Sequence, residues 1–155
     1  MSATPRVVFD CNVLLQALIS QYGPSFAAVD AARKGQVRLF LSEQVITELR
    51  SVAVRPRLAD KFRLTDAKVD KFVAGLREHS HWLTVIPHVF DFPRDPTDAH
   101  YIDLAVAADA HLIVSRDADL LSLADATTPD GRDFSDQFPT LRILTPPQLL
   151  IELER

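Results

Sequence analysis

The stretch "RDPTDAHYIDLAVAADAHLIVSRDADLL", residues 94–121, decides the fold. Its first part has helical spacing built on small apolar residues, and its second part turns at once into "LIV", an apolar run without polar alternation. A run of that kind suits a strand covered on both faces, and a helix leading into it suits a parallel sheet. An acid stands at each end of the unit. Asp98 opens the helix, with Thr97 as its expected cap, and Asp117 follows the strand.

The same alternation extends along the chain. Short β-rich runs occur at "RVVFD" (6–10), "VRLFLS" (37–42), "WLTVI" (82–86), "HLIVS" (111–115) and "LRILT" (141–145). Between them the spacing predicts helices over about 13–34, 43–54, 66–80, 97–109, 118–125 and 146–153. Strands alternating with helices predict an α/β fold with a parallel sheet and helices on both faces. No linker or repeat divides the chain, so a single domain over 1–155 is expected, with "TTPDGRDFSDQFPT" (127–140) as a polar loop before the last strand.

A chain of 155 residues can bury an ordinary core without staples. One cysteine, Cys11, excludes an internal disulfide, and no Cys/His cluster suggests structural zinc. Neither a leader-like start nor a run of about 18 apolar residues is visible, so a cytoplasmic protein without membrane partners is expected. The net charge of −4 speaks against nonspecific nucleic-acid binding, yet it hides an asymmetry. Residues 50–77 carry eight basic side chains against three acids, whereas residues 78–155 carry five against fourteen. The basic part reads either as a solvated helix face or as a phosphate-tracking surface.

In an open parallel sheet, function collects where strands end and helices begin. Asp10 ends the first strand, where it reads equally as a helix cap and as a site carboxylate. Asp98 falls within the apolar stripe of its helix, among Tyr101, Ile102 and Ala105, so it is expected to face the sheet. Asp103, about 140° away, is expected on the solvated side with His100. Glu48, in "SEQVITELRSV", sits on the edge of a buried stripe. Asp10, Glu48, Asp98 and Asp117 gathered at one sheet edge would repel one another, and a divalent cation would relieve the repulsion. Oxygen ligands without His or Cys suit Mg²⁺ or Mn²⁺. None of the five histidines is expected to act in the site, and Cys11 is expected to be a small core residue.

The ordered set "VVFDCNVLL", "LSEQVITELRSV", "RDPTDAHYIDLAVAADAHLIVSRDADLL" and "ILTPPQLL" resembles the PIN-domain family across nearly the whole chain. The resemblance implies a three-layer α/β/α sandwich around a five-stranded, mainly parallel sheet. It implies a metal-dependent endoribonuclease, of the kind found as toxins of toxin-antitoxin pairs, with Asp10, Glu48, Asp98 and Asp117 as its acids. Asp119 matches a further acid, Asn12 and Ser115 match supporting polar groups, and Asp95 belongs to a "DPxD" turn that shapes the loop. Partners implied are an RNA substrate, an antitoxin protein and a second copy in a homodimer; Arg50, Arg55, Arg57 and Lys61 become candidates for RNA contact. The long polar segment 127–140 departs from the shorter toxins of the family.

Three other readings use the same acids. A haloacid-dehalogenase-like phosphatase would attack with Asp10, but it usually has a second Asp where this chain has Asn12, and no lysine follows in the last third. The missing late lysine also weighs against a phosphoacceptor receiver domain. A PIN-like scaffold that binds RNA or a partner without cutting retains the fold, though the acids at all four positions are intact.

Overall fold

A computed structural model describes residues 3–155. Five short strands, β1 (Arg6–Phe9), β2 (Arg38–Ser42), β3 (Ser80–Leu83), β4 (Leu112–Val114) and β5 (Arg142–Leu144), form one sheet in the order β3-β2-β1-β4-β5. Every pairing is parallel, with Val7 level with Leu39 on one side and with Leu112 on the other. The centre of the sheet is sealed: Val7, Val8 and Phe9 have no exposed surface, and Ile113 and Val114 have none either. Unbroken apolar runs in β1 and β4 are the sequence signature of that double covering. β3 is an edge strand and begins at Ser80, where Ser80 pairs with Leu39, rather than at Trp82.

Helices α1 (Cys11–Ile19) and α2 (Pro24–Arg33) join β1 to β2; α3 (Glu43–Ala53), α4 (Pro56–Phe62) and α5 (Asp66–Glu78) join β2 to β3. The chain then returns across the sheet through a 3-10 turn, Pro96–Asp98, and α6 (Ala99–Ala107) into β4. Helices α7 (Ala118–Ser122) and α8 (Pro129–Gln137) lead to β5, and α9 (Pro146–Leu153) packs on α2. Right-handed crossovers put the returning α6 on the face opposite α1 and α3, which makes the three layers. The reversal of strand order at β1 and β4 opens a crevice at their carboxyl ends.

Three expectations are corrected. The helix expected over 13–34 is two helices, because Gly23 adopts a φ of 106° that L-residues avoid and Pro24 starts a new helix behind it. The segment 127–140 is not a loop. Thr128 accepts the Gly131 N–H as an N-cap, Pro129 takes the first turn, and Phe134 is buried against Phe90 and Phe138. Asp103 is buried rather than solvated: its Oδ1 accepts the N–H groups of Val89 and Phe90, and its Oδ2 lies 2.7 Å from His88 Nδ1. The irregular connection 84–95 folds over that side of α6, and Asp103 fastens it there. His88 also reaches Asp91, and its bonds to the two acids draw its pKa upward. Among the described residues, no helix is long and apolar enough to cross a membrane.

Candidate active site

Asp10 leaves β1 with extended backbone, and its Oδ1 accepts the Val13 N–H at 2.9 Å, so it does cap α1. Capping occupies one oxygen. The other accepts the Ser115 hydroxyl, and Ser115 Oγ in turn accepts the Asp117 N–H at 2.9 Å. Ser115 thus ties the ends of β1 and β4 together, beside the backbone bond from Asp10 N to Val114 O. A second orphan donor of α1, the Cys11 N–H, is taken by the buried hydroxyl of Tyr101 from α6 at 3.0 Å. Cys11 is buried as expected, and burial pushes its thiol up to about 12.

Asp117 caps α7 by accepting the Asp119 N–H at 2.7 Å. That short turn brings Asp117 and Asp119 together, and "DPTD" brings Asp95 to them: one carboxylate oxygen from each lies within 4.8 Å of the others. Sequence reasoning gave Asp95 only a turn-shaping role, and its side chain does accept the Thr97 hydroxyl at 2.6 Å. The signal that could have found it was the pair of acids three apart in "DPTD", one turn of helix bringing both to one side. Thr97 therefore does not cap α6 with its side chain.

Asp98 is buried at the end of the 3-10 turn, and its Oδ2 has no partner among the described residues. Burial, followed by the charges of Asp117 and Asp95, raises its pKa to about 8. Asp10 is raised to about 6, chiefly by burial, with the Ser115 and Val13 bonds acting the other way. A buried carboxylate oxygen without a donor, crowded by neighbouring acids, is the kind of group that a divalent cation would satisfy. The donor set is all oxygen, so the residues present fit Mg²⁺ or Mn²⁺.

Glu48 stands apart from the tight triad. Its Oε2 lies 2.9 Å from Nε2 of His100, a side chain only 10% exposed whose Nδ1 is buried without a partner. His100 is thus not on the solvated face that the helical wheel predicts but largely buried beside Glu48. Glu48, Arg55, Thr97 and His100 line a polar cavity of about 690 Å³ beside Asp98. Asn12 is exposed at the first turn of α1 and makes no side-chain hydrogen bond among the described residues. In the basic segment, Arg50 is paired with Asp70 at 2.7 Å, whereas Arg55, Arg57 and Lys61 are exposed on and beside α4. Arg94 places its Nε 3.4 Å from Asp119, a cation at the rim of the acids.

A family model described as the PIN domain matches residues 6–119. An uncharacterized protein of Methanocaldococcus jannaschii is 24% identical over 151 residues, which cover 97% of this chain and 92% of that protein. The family match begins at β1 and ends on Asp119, so it spans Asp10, Glu48, Asp95, Asp98, Asp117 and Asp119 together with the crossover that assembles them. PIN domains are generally metal-dependent nucleases, and in this chain Asp95, Asp117 and Asp119 form a cluster of acids that could hold a metal ion. By its matched span and its parallel sheet, this chain belongs to the PIN-domain family.

Proposed function

We propose that this protein is a Mg²⁺- or Mn²⁺-dependent endoribonuclease that hydrolyses phosphodiester bonds of RNA at the crevice between β1 and β4. The observation that carries the reading is the unpartnered, buried Asp98 Oδ2 facing a cluster of acids where the strand order reverses. Asp95, Asp98, Asp117 and Asp119 would hold the cation, with Asp10 beside them. The chemistry supplied on binding is activation of an attacking water and stabilisation of charge at the leaving oxygen.

The chain's own residues do the rest. Ser115 fixes the Asp10 carboxylate against the Asp117 backbone, so the two strand ends cannot part without breaking that bridge. His100 holds Glu48 over the polar cavity, and Arg55 on the cavity wall offers a phosphate contact that continues into Arg57 and Lys61. None of these residues needs to act as a covalent nucleophile. A role as the toxin of a pair, held by an antitoxin protein, goes with the family resemblance.

A fluorogenic single-stranded RNA, incubated with the protein in Mg²⁺, Mn²⁺ or EDTA, tests the reading. Cleavage is expected with either metal and none in EDTA, and Asp98→Asn is expected to remove it. Activity undiminished in EDTA would overturn the mechanism. RNA bound without products in any metal would favour the non-catalytic scaffold.

A further inference from the structure

Tyr22 is 87% exposed, the most exposed large apolar side chain among the described residues, and it is not on a floppy stretch. Its N–H donates to Ser20 Oγ at 3.1 Å, and the Ser20 hydroxyl donates back to the Tyr22 carbonyl at 2.9 Å. Gly23, with its positive φ, and Pro24 then fix the chain into α2. The backbone is held while the ring is left in water, an arrangement that serves neither core packing nor solubility.

Tyr22 borders a cavity of about 400 Å³, within the size range of small-ligand sites. Its walls mix apolar surface from Leu121, Pro146 and Pro147 with polar groups from Gln16, Thr145 and Arg116. Each wall has a place in the topology. Gln16 is on the helix after β1, Arg116 follows β4, and Thr145 follows β5, so the cavity opens at the same carboxyl edge as the acids. Arg116 stands between Ser115 and Asp117, which hold the strand ends together, and its own side chain is exposed. The polar cavity of Glu48 and His100 involves α3 and α6 instead, so the two hollows use different elements around the acids.

We propose that this second cavity is a subsite for one unpaired nucleobase next to the scissile phosphate, with Tyr22 as its stacking platform and Arg116 as its phosphate contact. This rests on the ribonuclease reading above and adds to it that the substrate is single-stranded at that position. A planar ring seated on a tyrosine, between proline and leucine surface, gains stacking from any base, while the adjoining guanidinium pairs with the backbone phosphate. Gln16 and Thr145 offer a donor and acceptors to the base edge. A paired base would have no exposed face to offer the tyrosine.

The test uses single-stranded oligoribonucleotides that carry 2-aminopurine at one position at a time, bound to the intact protein with Ca²⁺. One position next to the scissile bond is expected to show strong quenching. Tyr22→Ala is expected to remove the quench there alone, and Tyr22→Phe to keep it. Because the ring is exposed, either variant folds. In Mn²⁺, an abasic site at that position is expected to lower kcat/KM of the wild-type protein roughly tenfold, and Tyr22→Ala to cleave the two substrates alike. Equal quenching by wild type and Tyr22→Ala at every position, or indifference of the wild type to the abasic site, would overturn the subsite. Should no metal support cleavage, the ribonuclease reading fails by itself, and the quenching pattern still decides for or against the base pocket.

Discussion

His100 Nε2 lies 2.9 Å from Glu48 Oε2, joining α6 to α3 across 52 residues of chain. The carboxylate accepts, so a hydrogen sits on Nε2, and the buried Nδ1 has no partner among the described residues. His100→Ala removes this bond and the ring packed on Tyr101 at 4.0 Å. With Glu48 partly exposed, a loss of about 1 kcal/mol is expected, read as a melting point lower by about 2–4 °C. If Glu48 serves the cation, the half-maximal Mn²⁺ concentration for RNA cleavage rises in the variant. An unchanged metal midpoint would leave His100 a structural residue only.

Asp10→Asn separates the two duties of Asp10. The amide oxygen can keep the Val13 cap, and the amide N–H₂ can donate to Ser115 Oγ, so folding is retained. Cleavage in Mn²⁺ is expected to fall at least a hundredfold, while the melting point in EDTA stays equal or rises. A variant that cuts RNA at a near-normal rate would remove Asp10 from the catalytic set.

Without metal, stability is expected to fall as pH rises. Asp98 and Asp10 hold their protons to about 8 and about 6, well above an unfolded carboxyl near 4. Between those values the folded chain binds more protons than the unfolded one, so each unit of pH increase costs stability. Melting points in EDTA should therefore be higher at pH 5 than at pH 8. Mg²⁺ should flatten that slope, because cation binding takes the place of the protons. A metal-free protein equally stable at both pH values would mean that these acids are not crowded in solution.

Replacing Arg55, Arg57 and Lys61 together by Ala is expected to weaken RNA binding and to flatten its salt dependence by up to about three counterions. All three side chains are exposed, so the melting point should move little. Affinity and salt slope identical to wild type would make this an ordinary solvated face.

Gly131→Ala tests α8. A Cβ at this position would stand 1.9 Å from the Asp125 carbonyl oxygen, and backbone cannot rotate away as a side chain can. Overpacking of this kind is expected to cost about 1–3 kcal/mol, with the aromatic cluster of Phe90, Phe134 and Phe138 loosened. Near-ultraviolet circular dichroism and thermal melting read both effects; an unaltered melting point would show that α8 is not fastened there.

The strands of the sheet centre were legible because double covering leaves an unbroken apolar run, as in β1 and β4. Asp98 was legible for a related reason: the helical wheel puts it among residues that must be buried. The same wheel failed for Asp103 and His100, since it tells which face meets the sheet and nothing of what covers the other face. There the connection 84–95 and α3 supply the cover. The α8 helix was hidden because Thr128, Pro129 and Gly131 are turn residues and cap residues alike, and only the i, i+4 pair Phe134 and Phe138 hinted at a buried side. Asp95 reads in the sequence as a turn-former, and only the three-dimensional approach of Asp117 and Asp119 adds it to a cluster that could hold a metal ion.

The pairing of Phe9 with Val114 governs when the crevice can form during synthesis of the chain. Two central strands lie side by side although more than a hundred residues separate them, so their meeting waits for a large loop to close, a slow kind of folding event. A nascent chain still lacking β4 has β1 and β2 but no Ser115 to grip Asp10 and no Asp117 at all. The crevice is therefore absent from every shorter nascent chain and can close only once the residues through Asp119 have been made.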